Sequence, residues 1–378
     1  MIHYVLDART ATGHFPGIGR YTASLSRAMV PLLDEDERLI LLCDLTRPSF
    51  WNLSTLAGEQ VQMVDVPVSP FSLRQQWAIP RLLRHLRADL YHSPYYLMPY
   101  RPGVPTVVTV YDLIPLLFPQ HASPMARLLF RWTTAMALRT AAHVITISQA
   151  TRRDLLAFYR LPPEKVMAIP LAADPCFYPQ PLAEVERVRR KYTLPEGYIL
   201  YIGINKPHKN LKALIGAWAR VRDSQFATHN WHLVIAGVWD SRYPKPRRRV
   251  EELGLENAVR FLGPVLEKDL PGLYAGAILF VFPSLYEGFG LPVLEAMACG
   301  VPVACSNTSS LPEVVGDAVF FFDPTKVDAI AEIIHRGLAD LGLRADLRER
   351  GLRRAARFSW ARTARQTLEV YRESRGGG

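Results

Sequence analysis

The chain has 378 residues, 49% hydrophobic and 21% charged, with 45 Lys and Arg against 35 Asp and Glu. That length suits two or three domains, and the composition excludes a mostly disordered chain, collagen and a coiled coil. The formal charge of +10 favours anionic partners, whether phosphates, nucleic acid or an anionic membrane surface. The excess is localised: residues 74–101 hold five Arg against Asp89, and residues 344–375 hold ten Arg against four acids.

In chain order, Met1 to Arg9 is a short apolar run ended by charge, too short for a signal peptide and read as a first strand at 2–6. Further β-branched runs at 39–43, 61–66, 89–92, 106–111, 144–147 and 166–169 alternate with amphipathic segments such as 18–33, 124–141 and 149–159. Ser148 is placed to cap the last of these. Around Pro175, Pro179 and Pro181 the pattern breaks into a stiff linker. A second series follows, with strands at 198–201, 232–236, 259–262, 278–282, 301–304 and 318–321. The pattern predicts an α/β protein of two doubly wound, Rossmann-like domains of similar size facing across a cleft, residues 1–175 and 176–358. Cys43, Cys176, Cys299 and Cys305 form no CxxC pair and read as free thiols in a reducing cytosol. No zinc, redox or other metal motif is read, and no apolar run approaches the length of about 18 residues that spans a membrane.

Three motifs carry chemistry. Gly17-Ile18-Gly19-Arg20 opens a helix after the first strand, where backbone amides can approach a phosphate. A glycine turn with no ligand is the competing reading, because Thr22 breaks a GxGxxG pattern. Arg20 is either a diphosphate ligand or an exposed helix arginine. The run Gly203-Ile204-Asn205-Lys206-Pro207-His208-Lys209-Asn210 sets a basic loop at a strand's carboxyl end, and Lys206 and Lys209 are two of only eight lysines. A compact ammonium suits a diphosphate, although a solvated loop that caps a helix has the same composition. The third motif, residues 283–300, runs from a strand through Glu287-Gly288-Phe289-Gly290-Leu291 into a helix bearing Pro292 and Glu295 and stopping at Gly300. Loop amides and the helix dipole there can hold phosphates, and the two carboxylates can accept hydrogen bonds from sugar hydroxyls.

This third segment resembles the Glu-x7-Glu motif of the retaining glycosyltransferases of family 4, which have the GT-B fold. Residues 15–21 (FPGIGRY), 110–115 (VYDLIP), 145–154 (ITISQATRRD) and 310–317 (SLPEVVGD) resemble other segments of that family. Residues 359–378 resemble its C-terminal helix, which crosses back to the first domain. The resemblance implies a metal-independent transferase whose second domain binds a nucleotide sugar and whose first domain takes the acceptor. Carried over, Glu295 would bind the ribose, and Glu287 would contact the transferred hexose and its developing oxocarbenium charge. Gly288, Phe289, Gly290 and Leu291, with Gly17 and Gly19, would meet the diphosphate or sugar, and Lys209 would neutralise the leaving group. Many members carry an Arg in the basic loop where this chain has Ile204 or His208, so Lys206 or His208 would compensate. Asn205, in the same loop, is a further candidate for donor contact. Many members have His-Asp where this chain has Tyr111-Asp112, and Asp112 is the candidate for acceptor or sugar contact.

The leading expectation is therefore a cytoplasmic hexosyltransferase acting on a glycan or lipid-linked acceptor, with GDP-mannose favoured as donor and a UDP-hexose next. The two Arg stretches, the first interleaved with Trp77, Tyr91, Tyr95, Tyr96 and Tyr100, suggest one face for an acceptor or for an anionic inner-membrane surface. The competing classes are a nucleotide-dependent oxidoreductase, disfavoured by the missing GxGxxG, and a non-catalytic nucleotide-sugar or nucleic-acid binder, for which no nucleic-acid signature is present.

Overall fold

The structure is a computed structural model that describes residues 1–12, 16–44, 46, 51, 53–223 and 231–376. Its chain divides into two units, residues 1–171 with 359–378, and residues 172–358.

Unit 1 carries β1 (Ile2–Asp7), β2 (Glu37–Cys43), β3 (Val61–Asp65), β4 (Leu90–Ser93), β5 (Thr106–Val110), β6 (His143–Thr146) and β7 (Val166–Ala168). They form one wholly parallel sheet in the order β3-β2-β1-β4-β5-β6-β7. Strands buried on both faces explain the near-continuous apolar runs, and β5 is buried throughout. The helices are α1 (Pro16–Met29), α2 (Gln75–His85), α3 (Ile114–Leu117), α4 (Pro124–Thr140) and α5 (Gln149–Tyr159). Ser148 does cap α5, its hydroxyl accepting from Thr151 N at 3.0 Å. α2, α4 and α5 cover one sheet face, where Ile79, Leu83, Phe130, Leu138 and Leu155 pack on Val5, Tyr91, Val108 and Val144.

Unit 2 holds β8 (Tyr198–Ile202), β9 (His232–Ala236), β10 (Val259–Gly263), β11 (Leu279–Phe282), β12 (Val303–Ser306) and β13 (Phe320–Phe322), also parallel, in the order β10-β9-β8-β11-β12-β13. β12 begins two residues later than predicted, because Pro302 has no N–H to donate and only its carbonyl pairs, with Phe280 N. Its helices are α6 (Leu182–Lys191), α7 (Leu211–Arg222), α8 (Lys245–Glu252), α9 (Leu270–Ala275), α10 (Leu291–Ala298), α11 (Leu311–Val315), α12 (Val327–Ala339) and α13 (Leu341–Ala355).

The last helix, α14 (Trp360–Gly376), belongs to unit 1 and packs beside α1 on the face opposite α2, α4 and α5. A polar network ties it down. Tyr371 OH and His92 Nδ1 lie 2.6 Å apart, and His92 Nε2 meets Thr109 Oγ1 at 2.8 Å, which in turn meets Tyr21 OH at 3.1 Å. Arg372 donates to both oxygens of Glu37 at 2.8 and 2.7 Å, and Tyr4 OH adds a third bond at 2.8 Å. Burial alone would raise the Glu37 carboxyl, but hydrogen bonds from Arg372, the Asp34 amide and Tyr4 hold it down to about 2.

The charges that end β1 are internal and do not mark a solvent boundary. Arg9 and Asp7 are both buried and paired at 2.6 Å, and Tyr91 OH donates to the same Asp7 oxygen at 2.6 Å. Burial favours the neutral acid, yet Arg9 keeps the Asp7 carboxyl below its ordinary range.

The arginines of residues 344–375 belong mostly to two helices. They divide between α13 in unit 2 and α14 in unit 1, and several are taken up by neighbours: Arg350 by Asp346, Arg353 by Glu349 and Arg372 by Glu37.

Candidate active site

In unit 2 the chain runs outward through β8, β9 and β10, then returns to place β11 beside β8. At such a reversal the loops leaving the two central strands diverge and open a crevice at the carboxyl edge, where ligands bind in doubly wound sheets. The loops here are 203–210 and 283–290, and they touch: Leu285 N donates to His208 O at 2.8 Å.

A single turn of 3-10 helix, Pro207–Lys209, brings Lys209 to this edge. Lys209 Nζ donates to Glu287 Oε1 at 2.7 Å and Oε2 at 2.9 Å, and stands 5.5 Å from the Phe282 ring centroid. The side chains are only 16% and 10% exposed, so the pair is weakly screened. Burial holds the neighbouring Tyr201 phenol well above its ordinary value, with the Glu287 charge adding to the effect. Asn210, left-handed at φ 58°, ends the turn and opens α7, and its Nδ2 donates to Pro324 O at 2.8 Å. A third loop grips the backbone of Glu287: its N–H donates to Ser309 Oγ at 2.9 Å, and its carbonyl accepts from Ser310 Oγ at 2.9 Å. Ser309 sits at φ 52°, an unfavourable angle for a non-glycine residue, so the backbone is strained where the clamp is made.

Gly290 precedes α10 at φ 101°, and a Cβ there would lie 2.6 Å from Leu311 Cδ2. Only glycine fits this corner, which aims the positive N-terminal end of α10 at the carboxyl edge. Pro292 occupies the first turn, and Gly300 at φ 72° follows the last. Glu295, one turn in, is buried, and Tyr274 OH donates to its Oε2 at 2.9 Å.

Several other residues expected at the donor also make contacts within the loops. Asn205 is buried, with Nδ2 donating to Asp240 O and Tyr243 O at 2.8 Å each and Oδ1 accepting from Asp240 N at 2.6 Å. It braces the loop after β8 against the loop after β9. Phe289 is a buried anchor whose ring meets Phe358 edge-on at 6.0 Å. His208 is buried beside Lys209, whereas Lys206 is exposed. Gly288 and Leu291 flank this anchor in the 283–291 turn, at the mouth of α10.

In unit 1, Gly17 and Gly19 lie in the first turns of α1, and Phe15 of the FPGIGRY segment falls outside the described residues. The two glycines differ. A Cβ on Gly17 would meet nothing within 4 Å, whereas one on Gly19 would strike the Trp51 indole at 2.2 Å. Gly17 therefore faces open space, and Gly19 is small because a ring packs on it. Arg20 is half-buried on the same helix. Asp112 follows β5, and its Oδ1 accepts from Ile114 N at 3.0 Å, shaping the start of α3. Tyr111 packs edge-on against Tyr21 at 5.5 Å.

Ser309, Ser310 and Tyr274 were missed in the sequence. They are common residues 21 to 23 positions from the groups they hold, and only Ser310 falls in a recognisable segment, at the start of SLPEVVGD. Against the expectation of no D-x-D or other metal motif, the sequence does contain a D-x-D triplet, Asp34-Glu35-Asp36. It lies in the turn before β2, where Asp34 Oδ2 accepts from Arg372 at 2.7 Å. Among the described residues no cluster of three or more His, Cys, Asp or Glu could hold a metal ion, and no helix is long and apolar enough to cross a membrane.

Comparison with known proteins agrees with this geometry. Residues 184–354 match the family "Glycosyl transferases group 1", and residues 16–176 match "Glycosyltransferase Family 4". The chain is 37% identical over 301 residues to O-antigen chain mannosyltransferase B of Escherichia coli, covering 79% of this chain and 77% of that protein. It is 33% identical over 272 residues to the serotype-specific mannosyltransferase WbdA of Escherichia coli, which covers 70% of this chain but 33% of that longer relative. The crystal structure of Anabaena Alr3699/HepE in complex with UDP and glucose superposes with a TM-score of 0.78 at 21% identity, over 99% of this chain and 100% of that one. Two parallel Rossmann-like units with these matches make the chain a GT-B glycosyltransferase, a member of glycosyl transferases group 1 and of glycosyltransferase family 4.

Proposed function

We propose that this enzyme transfers mannose from GDP-mannose, with retention of anomeric configuration and without a metal ion, to a glycan or lipid-linked acceptor. The observation that carries the reading is the Lys209–Glu287 pair at the carboxyl-edge reversal of unit 2. In this reading unit 2 binds the nucleotide sugar and unit 1 the acceptor. The bond between the sugar's anomeric carbon and the diphosphate oxygen breaks and the diphosphate leaves with the electron pair, while an acceptor hydroxyl forms the new bond to that carbon on the same face and passes its proton to the departing phosphate oxygen. Lys209 turns from Glu287 to neutralise that leaving charge, aided by the amides of residues 288–291 and the N-terminus of α10. Glu287, freed of its partner, faces the sugar as positive charge develops there. Glu295 exchanges its tyrosine contact for the ribose hydroxyls. From unit 1, Gly17, Gly19 and Arg20 serve the diphosphate, and Asp112 meets the acceptor or sugar. The choice of mannose rests on the names of the Escherichia coli relatives. A UDP-hexose is the second reading, favoured by the UDP and glucose of the Anabaena complex. We place the work in the cytoplasm, at the inner face of the cell membrane.

A thermal-shift panel of GDP-, UDP-, ADP- and dTDP-sugars, followed by turnover and NMR of the product's anomeric proton, tests the reading. Selective stabilisation by GDP-mannose and an α-linked product are expected. Stabilisation by UDP-hexoses alone would replace mannose with the second reading, and an inverted product would remove retention.

A further inference from the structure

Helix α4 is apolar on two opposite sides. Phe130, Thr133, Thr134, Ala137 and Leu138 are buried against the sheet. At about 100° per residue, Met125, Leu128, Leu129 and Trp132 fall on the other side, and these are 74%, 50%, 60% and 62% exposed. A helix of a water-soluble surface normally turns polar residues outward, so a second apolar stripe at i, i+3, i+4 and i+7 needs a partner. Its neighbour α2 repeats the feature. Trp77, 69% exposed, lines up with exposed Arg81 and Arg84, and Phe71 and Leu73 are exposed just before the helix. Both helices pack into one core on one sheet face, so their outer sides look the same way. Gln76 Nε2 donates to Met98 O and Thr140 Oγ1 to Tyr100 O, each at 2.9 Å, so one short segment ties the two helices together.

Charge decides what covers this surface. No Asp or Glu occurs between Asp65 and Asp89, or between Asp112 and Asp154, so both helices are free of acids. Arg74, Arg81, Arg84, Arg131 and Arg139 are all exposed there. Exposed Trp, Leu and Met among unopposed arginines match a helix lying in the headgroup region of an anionic bilayer. We infer that the α2–α4 face of unit 1 docks on an anionic lipid bilayer, with the α4 stripe inserted among the acyl chains and the arginines on lipid phosphates. This deepens the inner-membrane placement proposed above. It moves the contact away from the C-terminal arginines and is independent of which donor is used.

The test is co-sedimentation of the full chain with phosphatidylcholine vesicles and with phosphatidylcholine–phosphatidylglycerol vesicles, at low and high salt. Binding to the mixed vesicles only is expected, weakened by salt. Leu128→Asp with Trp132→Asp should lower it about tenfold or more, and Arg81→Glu with Arg84→Glu should remove its salt dependence. All four changes lie on exposed positions, so circular dichroism and turnover of a soluble acceptor should be unchanged. Loss of that turnover in the wild type would fail the glycosyl-transfer reading and leave the docking result standing. Equal or absent binding to the two vesicle types would overturn the inference. So would a dimer in sedimentation velocity that Leu128→Asp dissociates, because the stripe would then be a contact between two copies.

Discussion

The Lys209–Glu287 pair allows a structural role to be separated from a chemical one. Lys209→Met removes the cation and leaves a carboxylate that is 10% exposed. Stranding one member of a buried pair costs about 3–5 kcal/mol, and the residual exposure trims this to roughly 2–4 kcal/mol. Glu287→Gln strands the ammonium, which is somewhat more exposed, and should cost less. The double variant removes both charges and should recover most of the lost stability, because no unpaired charge remains. Activity should behave differently. If Lys209 meets the leaving diphosphate, its loss should lower kcat by about 10²–10³-fold, as for other preorganised groups facing transition-state charge. The double variant cannot restore that. The assay is a double-mutant cycle read twice, by urea unfolding and by single-turnover donor consumption. Activity that recovers together with stability in the double variant would refute the chemical role and reduce the pair to a brace between two loops.

Gly290→Ala places a Cβ against Leu311 at an angle that L-residues avoid. It should destabilise unit 2 by about 1–3 kcal/mol and weaken nucleotide binding, seen as a lower melting temperature and a higher Kd. Tyr371→Phe leaves a buried His92 nitrogen without its partner and should cost about 1–3 kcal/mol, read by urea unfolding. Stability should also depend on pH in a defined direction. Burial pushes the His92 imidazole down to about 3, so below its ordinary range the unfolded chain takes up a proton that the native state refuses. Stability from this group is complete above about pH 6.5 and falls toward pH 3, by at most about 1.4 kcal/mol per pH unit. Glu37, held at about 2, adds a loss as pH falls from its ordinary value toward 2. A His92→Gln variant should flatten the upper part of the profile, and a wild-type curve already flat between pH 6.5 and 4.5 would contradict the burial argument.

Much of the fold was legible because strands buried on both faces must be apolar along their whole length, so each predicted strand corresponds to one in the sheets. The Glu287-to-Glu295 segment was legible for a related reason. Its backbone corner demands glycine at 290 and tolerates proline at 292, and those demands leave a local signature. Charge was read less well. The acid and arginine that end the first apolar run pair in the interior, and the Tyr91 hydroxyl that joins them comes from a strand 84 residues away in sequence. Asn205 is expected at the donor from its loop alone, and its bracing role is visible only in the fold, because its partners come from the next βα loop.

The sequence by itself determined the two sheets, the helix boundaries near Ser148 and Gly300, and the family. These follow from periodicity, backbone angles and motif spacing, all local properties of the chain. Only the tertiary structure decided that Lys209 meets Glu287, that Ser309 and Ser310 hold Glu287 in place, and that α4 carries a second, uncovered apolar side. Strand order, not strand content, brings residues 78 positions apart to one carboxyl edge. A helix's apolar positions likewise gain meaning only when the sheet has claimed one of its two faces.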